Sequence, residues 1–233
     1  MSEQLDLSPA LELAKQTRCF QLDRSTELAA ALQALCASAV RLVPGSQYVG
    51  ITVTGRDGRV ETTAATDRYP VLLDKIAARH GEGPALSAAV EHCSVRVGDL
   101  RAEQRWHGYR RDALDETPVR SLLSFDLFSD RTTDSALTFY AERAGAFDDR
   151  CVELGLVCTA HIAIVWDMLA REQHFRTALA SRDIIGQAKG IVMERYNIDE
   201  SAAFDLLKRL SQDSNTRLTD VAARLIEVDH PRS

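Results

Sequence analysis

The basic residues downstream of position 170 are the side chains with the clearest capacity for chemistry. Arg182 and Lys189 stand seven apart and share one face of any helix that carries them. Lys208 and Arg209 are adjacent, and helix neighbours diverge by about 100°, so only one of them can face the same partner as Lys189. Clustered cations of this kind either meet phosphate or stay solvated. Asn215 lies in an Asp-Ser-Asn turn cluster. Its amide serves a base edge or a phosphate, or holds the turn by bonding its own backbone. Tyr196 has the shape to stack on a flipped base, but half-buried packing at a helix end is the expectation for it.

Other reactive groups are sparse. His92 and Cys93 are neighbours, which in a strand face opposite ways. Cys158 and His161 fit one helix face but lack further ligands at readable spacing, so no metal site is expected. The five cysteines show no C-x-x-C spacing, which fits reduced, buried thiols. Cys151 and Cys158 are too far apart on a helix for a bond within one chain, yet each could meet its own copy across a helix pair. Trp106, His107 and Tyr109 fall in an expected loop, where they line a small-molecule pocket or only anchor the loop. No catalytic residue and no cofactor is assigned.

The chain has 233 residues, 45% apolar and 27% charged, which suits about two globular domains. Its net charge of −6 counts against a nucleic-acid binder. The charge is uneven, however. Residues 171–233 carry ten Lys/Arg and ten Asp/Glu, so the whole excess of acid lies upstream. A neutral module still presents a basic face when its acids lie opposite. No signal peptide is read at the N-terminus. The longest apolar run, Gly155–Ala170, is interrupted by His161 and Asp167 and reads as too short and polar to span a membrane. A cytoplasmic protein is expected.

Periodicity supplies the elements that would position these residues. Helices are predicted over Ser25–Leu42, Tyr69–Arg79 and Ala85–His92, and strands over Tyr48–Thr54, Arg59–Ala65, Ser94–Val97, Ser121–Leu127 and Ser135–Tyr140. Arg56-Asp57-Gly58 reads as a hairpin turn. From Asp148 to about Tyr196 no proline intervenes, and a single long helix is expected. Its apolar positions include Val152, Leu156, Ala160, Ile162, Ala163, Trp166, Leu169, Ala170 and Phe175. They predict a parallel homodimer through the helix around Asp148–Phe175. Three short helices then bury Ile184, Ala188, Ile191 and Val192, next Ala203, Leu206, Leu207 and Leu210, and last Leu218, Val221, Ala222 and Leu225. Asn197 is expected to be left-handed and Asp199 to cap the second helix. The layout is α+β. Its divisions are an arm at 1–24, a sensor-like unit at 25–166, a connecting helix at 167–180, a helical unit at 181–228 and a tail at 229–233.

Two resemblances sharpen this. Gln187–Arg195 (QAKGIVMER), Glu200–Ser211, Asn215 and Leu218–Ala222 (LTDVA) resemble the ANTAR domain of bacterial antitermination regulators. Ser211 stands where alanine is common. The resemblance implies a C-terminal three-helix bundle that binds tandem hairpins in nascent transcripts and favours transcription past a terminator. Its RNA contacts would fall on Arg182, Lys189, Arg195, Lys208, Arg209, Asn215 and Arg217. Gly81–His92, Val95–Trp106, Arg120–Phe128 and Ala136–Asp149 resemble a GAF domain, an antiparallel sheet flanked by helices that senses a small molecule or a partner. Where many relatives have Gly-Pro-Cys this chain has Gly83-Pro84-Ala85, so chemistry attached to that cysteine does not carry over. A regulator rather than an enzyme is expected. The rivals are a helix-turn-helix DNA-binding regulator and, behind it, a thiol-based GAF-domain reductase, which would need clustered reactive cysteines.

Overall fold

The computed structural model describes residues 28–129 and 132–229, in two compact units divided between Met168 and Leu169. The expected arm at 1–24, the first residues of the Ser25 helix and the end of the tail lie outside the described residues.

In the N-terminal unit, α1 (Leu28–Leu42) leads into the hairpin of β1 (Tyr48–Gly55) and β2 (Val60–Ala65). Gly58 turns the hairpin at φ 82°, a conformation that favours glycine. Then come α2 (Arg68–His80), α3 (Pro84–Glu91), β3 (Ser94–Val97), α4 (His107–Glu116), β4 (Ser121–Ser129) and β5 (Thr133–Ala141). The five strands form one antiparallel sheet in the order β2-β1-β5-β4-β3.

Strand alternation gives the sheet two dry faces. Val49, Ile51, Leu123, Phe125 and Phe139 are fully or almost fully buried on the face toward α1 and the first turns of α5 (Asp149–Tyr196). Gly155 of α5 rests on the Phe125 ring so closely that an added Cβ would collide with it. The other face packs against α2, α3 and α4 through Leu73, Ile76, Ala88, Tyr109, Leu122 and Tyr140.

Helix α4 was not legible from periodicity. Only Tyr109 and Ala113 of it are buried, and its first residues offer no side-chain cap. The cap comes from a distant residue instead: Glu82 Oε1 accepts the backbone N–H groups of Gly108 at 2.7 Å and Tyr109 at 3.0 Å. Arg79 adds an ion pair to Asp112 at 3.0 Å, and His80 Nε2 a hydrogen bond to the same carboxylate at 2.7 Å.

The long helix is real and runs 48 residues. Its inward stripe corrects one expectation. Ile162 and Val165 are completely buried, and Trp166 sets its ring 4.7 Å from that of Phe128. These positions serve the unit's own core and are unavailable to a second helix. Cys151 and Cys158 are 2% and 1% exposed, so neither can meet its copy across a helix pair. The outward apolar residues include Leu156, Val157, Ile164, Phe175 and Leu179, each more than 40% exposed. By length and composition alone Asp149–Glu172 qualifies as a membrane span, against the expectation from the sequence. Of its most apolar window, 33% is buried inside the fold.

In the C-terminal unit the end of α5 joins α6 (Glu200–Asp213) and α7 (Leu218–Asp229) around Ala188, Val192, Ala203, Leu207 and Ala222, all at most 1% exposed. Three alanines at the centre let the helices approach closely. Asn197 (φ 50°) and Asn215 (φ 48°) both adopt the left-handed conformation. Asp199 caps α6 by accepting from the Ala202 N–H at 2.8 Å. Leu210, expected inside, is 43% exposed.

Candidate nucleic-acid interface

Helical spacing lays Arg182, Lys189, Met193 and Tyr196 along one side of the last turns of α5. Met193 is drawn into the core, so the polar part of that side is Arg182, Lys189 and Tyr196. On α6, Glu200, Phe204 and Lys208 follow at intervals of four and share a face. An ion pair between Lys189 and Glu200 joins the two stripes. Lysine at that pair is largely covered, with 24% of its side chain exposed, while Glu200 is 73% exposed. The ammonium holds the Glu200 carboxyl below its ordinary pKa.

Arg182, Arg195, Lys208, Arg209 and Arg217 are exposed. Among the described residues Arg182, Lys208, Arg209 and Arg217 enter no ion pair. Arg209 is rotated about 100° from Lys208, off the stripe that Glu200 defines. Asn215 is exposed and holds its turn by backbone conformation. The side-chain bonds of that turn come from its neighbours: Ser211 donates to the Thr216 carbonyl at 2.6 Å, Ser214 to Leu210 at 2.6 Å and Thr216 to Ser214 at 3.0 Å. Tyr196 is 60% exposed, against the expectation of packing. Phe204, which the sequence reading passed over, is 40% exposed between Glu200 and Lys208. An aromatic one turn from a solvated lysine was the available signal.

The sensor-side candidates do not converge. Trp106 and Tyr109 are 6% and 3% exposed, at the start of α4 rather than in a loop. Trp106 Nε1 donates to Ser87 Oγ at 3.1 Å, and the Arg105 guanidinium lies 4.3 Å from the indole. Burial pushes the Tyr109 hydroxyl far above its ordinary pKa. His107 alone faces solvent. An open cleft of about 450 Å³ lies elsewhere, between Arg56 and Val60 of the hairpin region and Leu86 and Val90 of α3. Asp74 is a buried group that the sequence reading missed. It accepts from Thr52 Oγ1 at 2.8 Å and Thr62 Oγ1 at 2.6 Å. Burial pushes its carboxyl up to about 6, against the pull of those two hydroxyls.

Cys36 and Cys158 are buried thiols pushed up to about 12, and Ala85 is buried as well. Among the described residues no group of three or more His, Cys, Asp or Glu is placed to hold a metal ion.

Residues 25–167 match the GAF domain family and residues 173–226 match the ANTAR domain family. Among curated proteins none matches the chain. Solved structures resemble the N-terminal unit. The free methionine-R-sulfoxide reductase of Neisseria meningitidis, in complex with its substrate, is 17% identical at TM-score 0.50, covering 71% of this chain and 93% of its own. The GAF domain of a Coxiella burnetii phosphoenolpyruvate-protein phosphotransferase is 13% identical at TM-score 0.52, covering 71% and 98%. The phycocyanobilin-bound GAF domain of a cyanobacterial phytochrome is 18% identical at TM-score 0.52, covering 71% and 97%. At such identities the likeness shows the fold alone. The GAF match covers more than half of the chain, and the ANTAR match follows it in the same order as the two compact units. The chain therefore belongs to the GAF–ANTAR family and has the architecture of a regulatory protein.

Proposed function

We propose that this protein is a cytoplasmic transcription antitermination regulator whose C-terminal unit binds tandem RNA hairpins, while its GAF domain responds to a small molecule or a partner. The observation that carries the reading is the ANTAR match at 173–226 on a three-helix unit. The exposed, unpaired Arg182, Lys208, Arg209 and Arg217 of that unit are suited to phosphate. Lys189, Arg195 and Asn215 complete the proposed contact set. A division into sensor (25–166), connector (167–180) and reader (181–228) fits this reading. The protein acts as a parallel homodimer, so that two readers meet two hairpins. The outward residues Leu156, Val157, Ile164 and Phe175 are the proposed seam.

The test is a titration of the full chain against a tandem-hairpin RNA and a random DNA duplex at matched salt. Tighter binding to the RNA is expected, with affinity falling steeply as salt rises. Equal or tighter binding to the duplex would move the protein to the helix-turn-helix class. Mass spectrometry of small molecules that copurify with the protein tests the sensing half.

A further inference from the structure

Lys189 is a proposed phosphate contact whose ammonium a carboxylate already holds. The pair is asymmetric. The lysine stem is mostly covered, so its ammonium stays where it is, whereas Glu200 stands largely in solvent and is free to swing away. Glu200 lies in the first turn of α6, where the positive end of the helix favours a carboxylate with or without Lys189. Letting go of the lysine therefore costs little, as for exposed ion pairs generally. An ammonium offers three donors to any anionic oxygen that reaches it, and a carboxylate and a phosphodiester compete for them on equal geometric terms.

We propose that Glu200 is a resident counter-ion for Lys189: its carboxylate occupies the place of a nucleic-acid phosphate in the free protein and is displaced when the backbone binds. The inference rests on the RNA-binding reading and deepens it. Glu200 keeps the ammonium positioned, and it lowers affinity for every polyanion, so that a ligand must engage the neighbouring cations as well to be held.

The experiment uses the full chain, a tandem-hairpin RNA and a random DNA duplex, with binding followed by fluorescence anisotropy between about 50 and 200 mM salt. Wild type is compared with Glu200→Gln, Lys189→Gln and the double variant. Glu200→Gln should bind the RNA about three- to fivefold tighter, with nearly the same salt dependence, because Lys189 meets the same phosphate in both complexes. In the Lys189→Gln background the same change should have at most about a third of that effect. Equal tightening in both backgrounds would show that Glu200 acts only as a distant charge, and would overturn the proposal. Weaker binding by Glu200→Gln would do so too, making the pair a clamp that the site needs. Glu200→Ala, with circular dichroism of each variant, separates that outcome from a loss of fold. If wild type prefers the duplex, the RNA reading falls, but the same cycle read on the duplex still decides whether a phosphate displaces Glu200. Binding to neither overturns both.

Discussion

At the scale of single residues, Lys208 and Arg209 look interchangeable in the sequence, and the structure separates them. Lys208 continues the stripe of Glu200 and Phe204, while Arg209 points about a quarter-turn away. Lys208→Ala should weaken hairpin binding about tenfold, for a charged contact worth ~1.5 kcal/mol. Arg209→Ala should cost less, with circular dichroism unchanged in both. The reverse order, read from equilibrium titrations, would place the RNA on the other side of α6. Phe204→Ala tests the same face without touching charge: a stacked base is worth ~1–3 kcal/mol, and the loss should leave the salt slope as it was. Asp74 yields a prediction of another kind. Its folded carboxyl is pushed up to about 6, above the ordinary value near 3.8, so the folded state holds the proton more tightly than the unfolded chain does. That stabilisation is complete below about pH 4 and is lost as pH rises through about 6. Asp112, held well below its usual range first of all by the hydrogen bond to His80, runs the opposite way, stabilising above its unfolded value and failing in strong acid. Thermal unfolding between pH 5 and 8 should therefore show the Asp74 contribution declining by on the order of 1 kcal/mol. Asp74→Asn should flatten the decline, and an unchanged slope in that variant would refute the assignment.

At the scale of elements, legibility followed where each signal is kept. The strands and α2 were readable because alternation and Asp-Gly turns are local. The Asp199 cap and the left-handed Asn197 were readable for the same reason. Helix α4 was not, because its capping carboxylate is Glu82, far upstream in the chain. Removing it by Glu82→Ala should destabilise the unit by ~0.5–2 kcal/mol, the usual worth of a cap, in denaturant melts. The long helix shows a different limit. Its extent was plain from the sequence, but it carries two apolar stripes, and periodicity cannot say which one the protein's own sheet will claim. Packing assigned Ile162 to the sheet and left Ile164 outside. Ile164→Glu should therefore break the proposed dimer and leave the fold intact, since an unpaired charge in a closed seam is costly. Ile162→Glu should instead lower the thermal midpoint of the N-terminal unit. Likewise the RNA candidates were legible as residue types, whereas the Lys189–Glu200 pair and the exposure of Phe204 depend on how α6 lies against α5.

For the whole molecule, sedimentation equilibrium should return about twice the chain mass of 25.8 kDa at micromolar concentration. A monomer there removes the proposed seam. Readers that act in pairs gain affinity from tethering, because the second binding event becomes intramolecular. A fragment from Ala170 onward should accordingly bind hairpin RNA more weakly than the full chain. Fusing it to an unrelated parallel coiled coil should recover the difference. If the forced dimer binds no better than the fragment, the GAF domain itself must touch the RNA.

The thiols carry a consequence for watching the protein open. Cys93 is partly exposed, while Cys36 on α1 and Cys158 on α5 are buried with their ionisation suppressed, and Cys151, also buried on α5, is replaced by serine for this measurement. A thiol-reactive dye should therefore label Cys93 on mixing. Cys36 and Cys158 become reactive only in the fraction of time that their own helix has lifted from the sheet. Their labelling rates, referred to an unfolded peptide, amount to two independent clocks on opposite ends of the unit's chain. Equal rates would mean that the helices leave together in one cooperative event. A faster Cys158 would mean that α5 loosens first, with α1 and the sheet still closed.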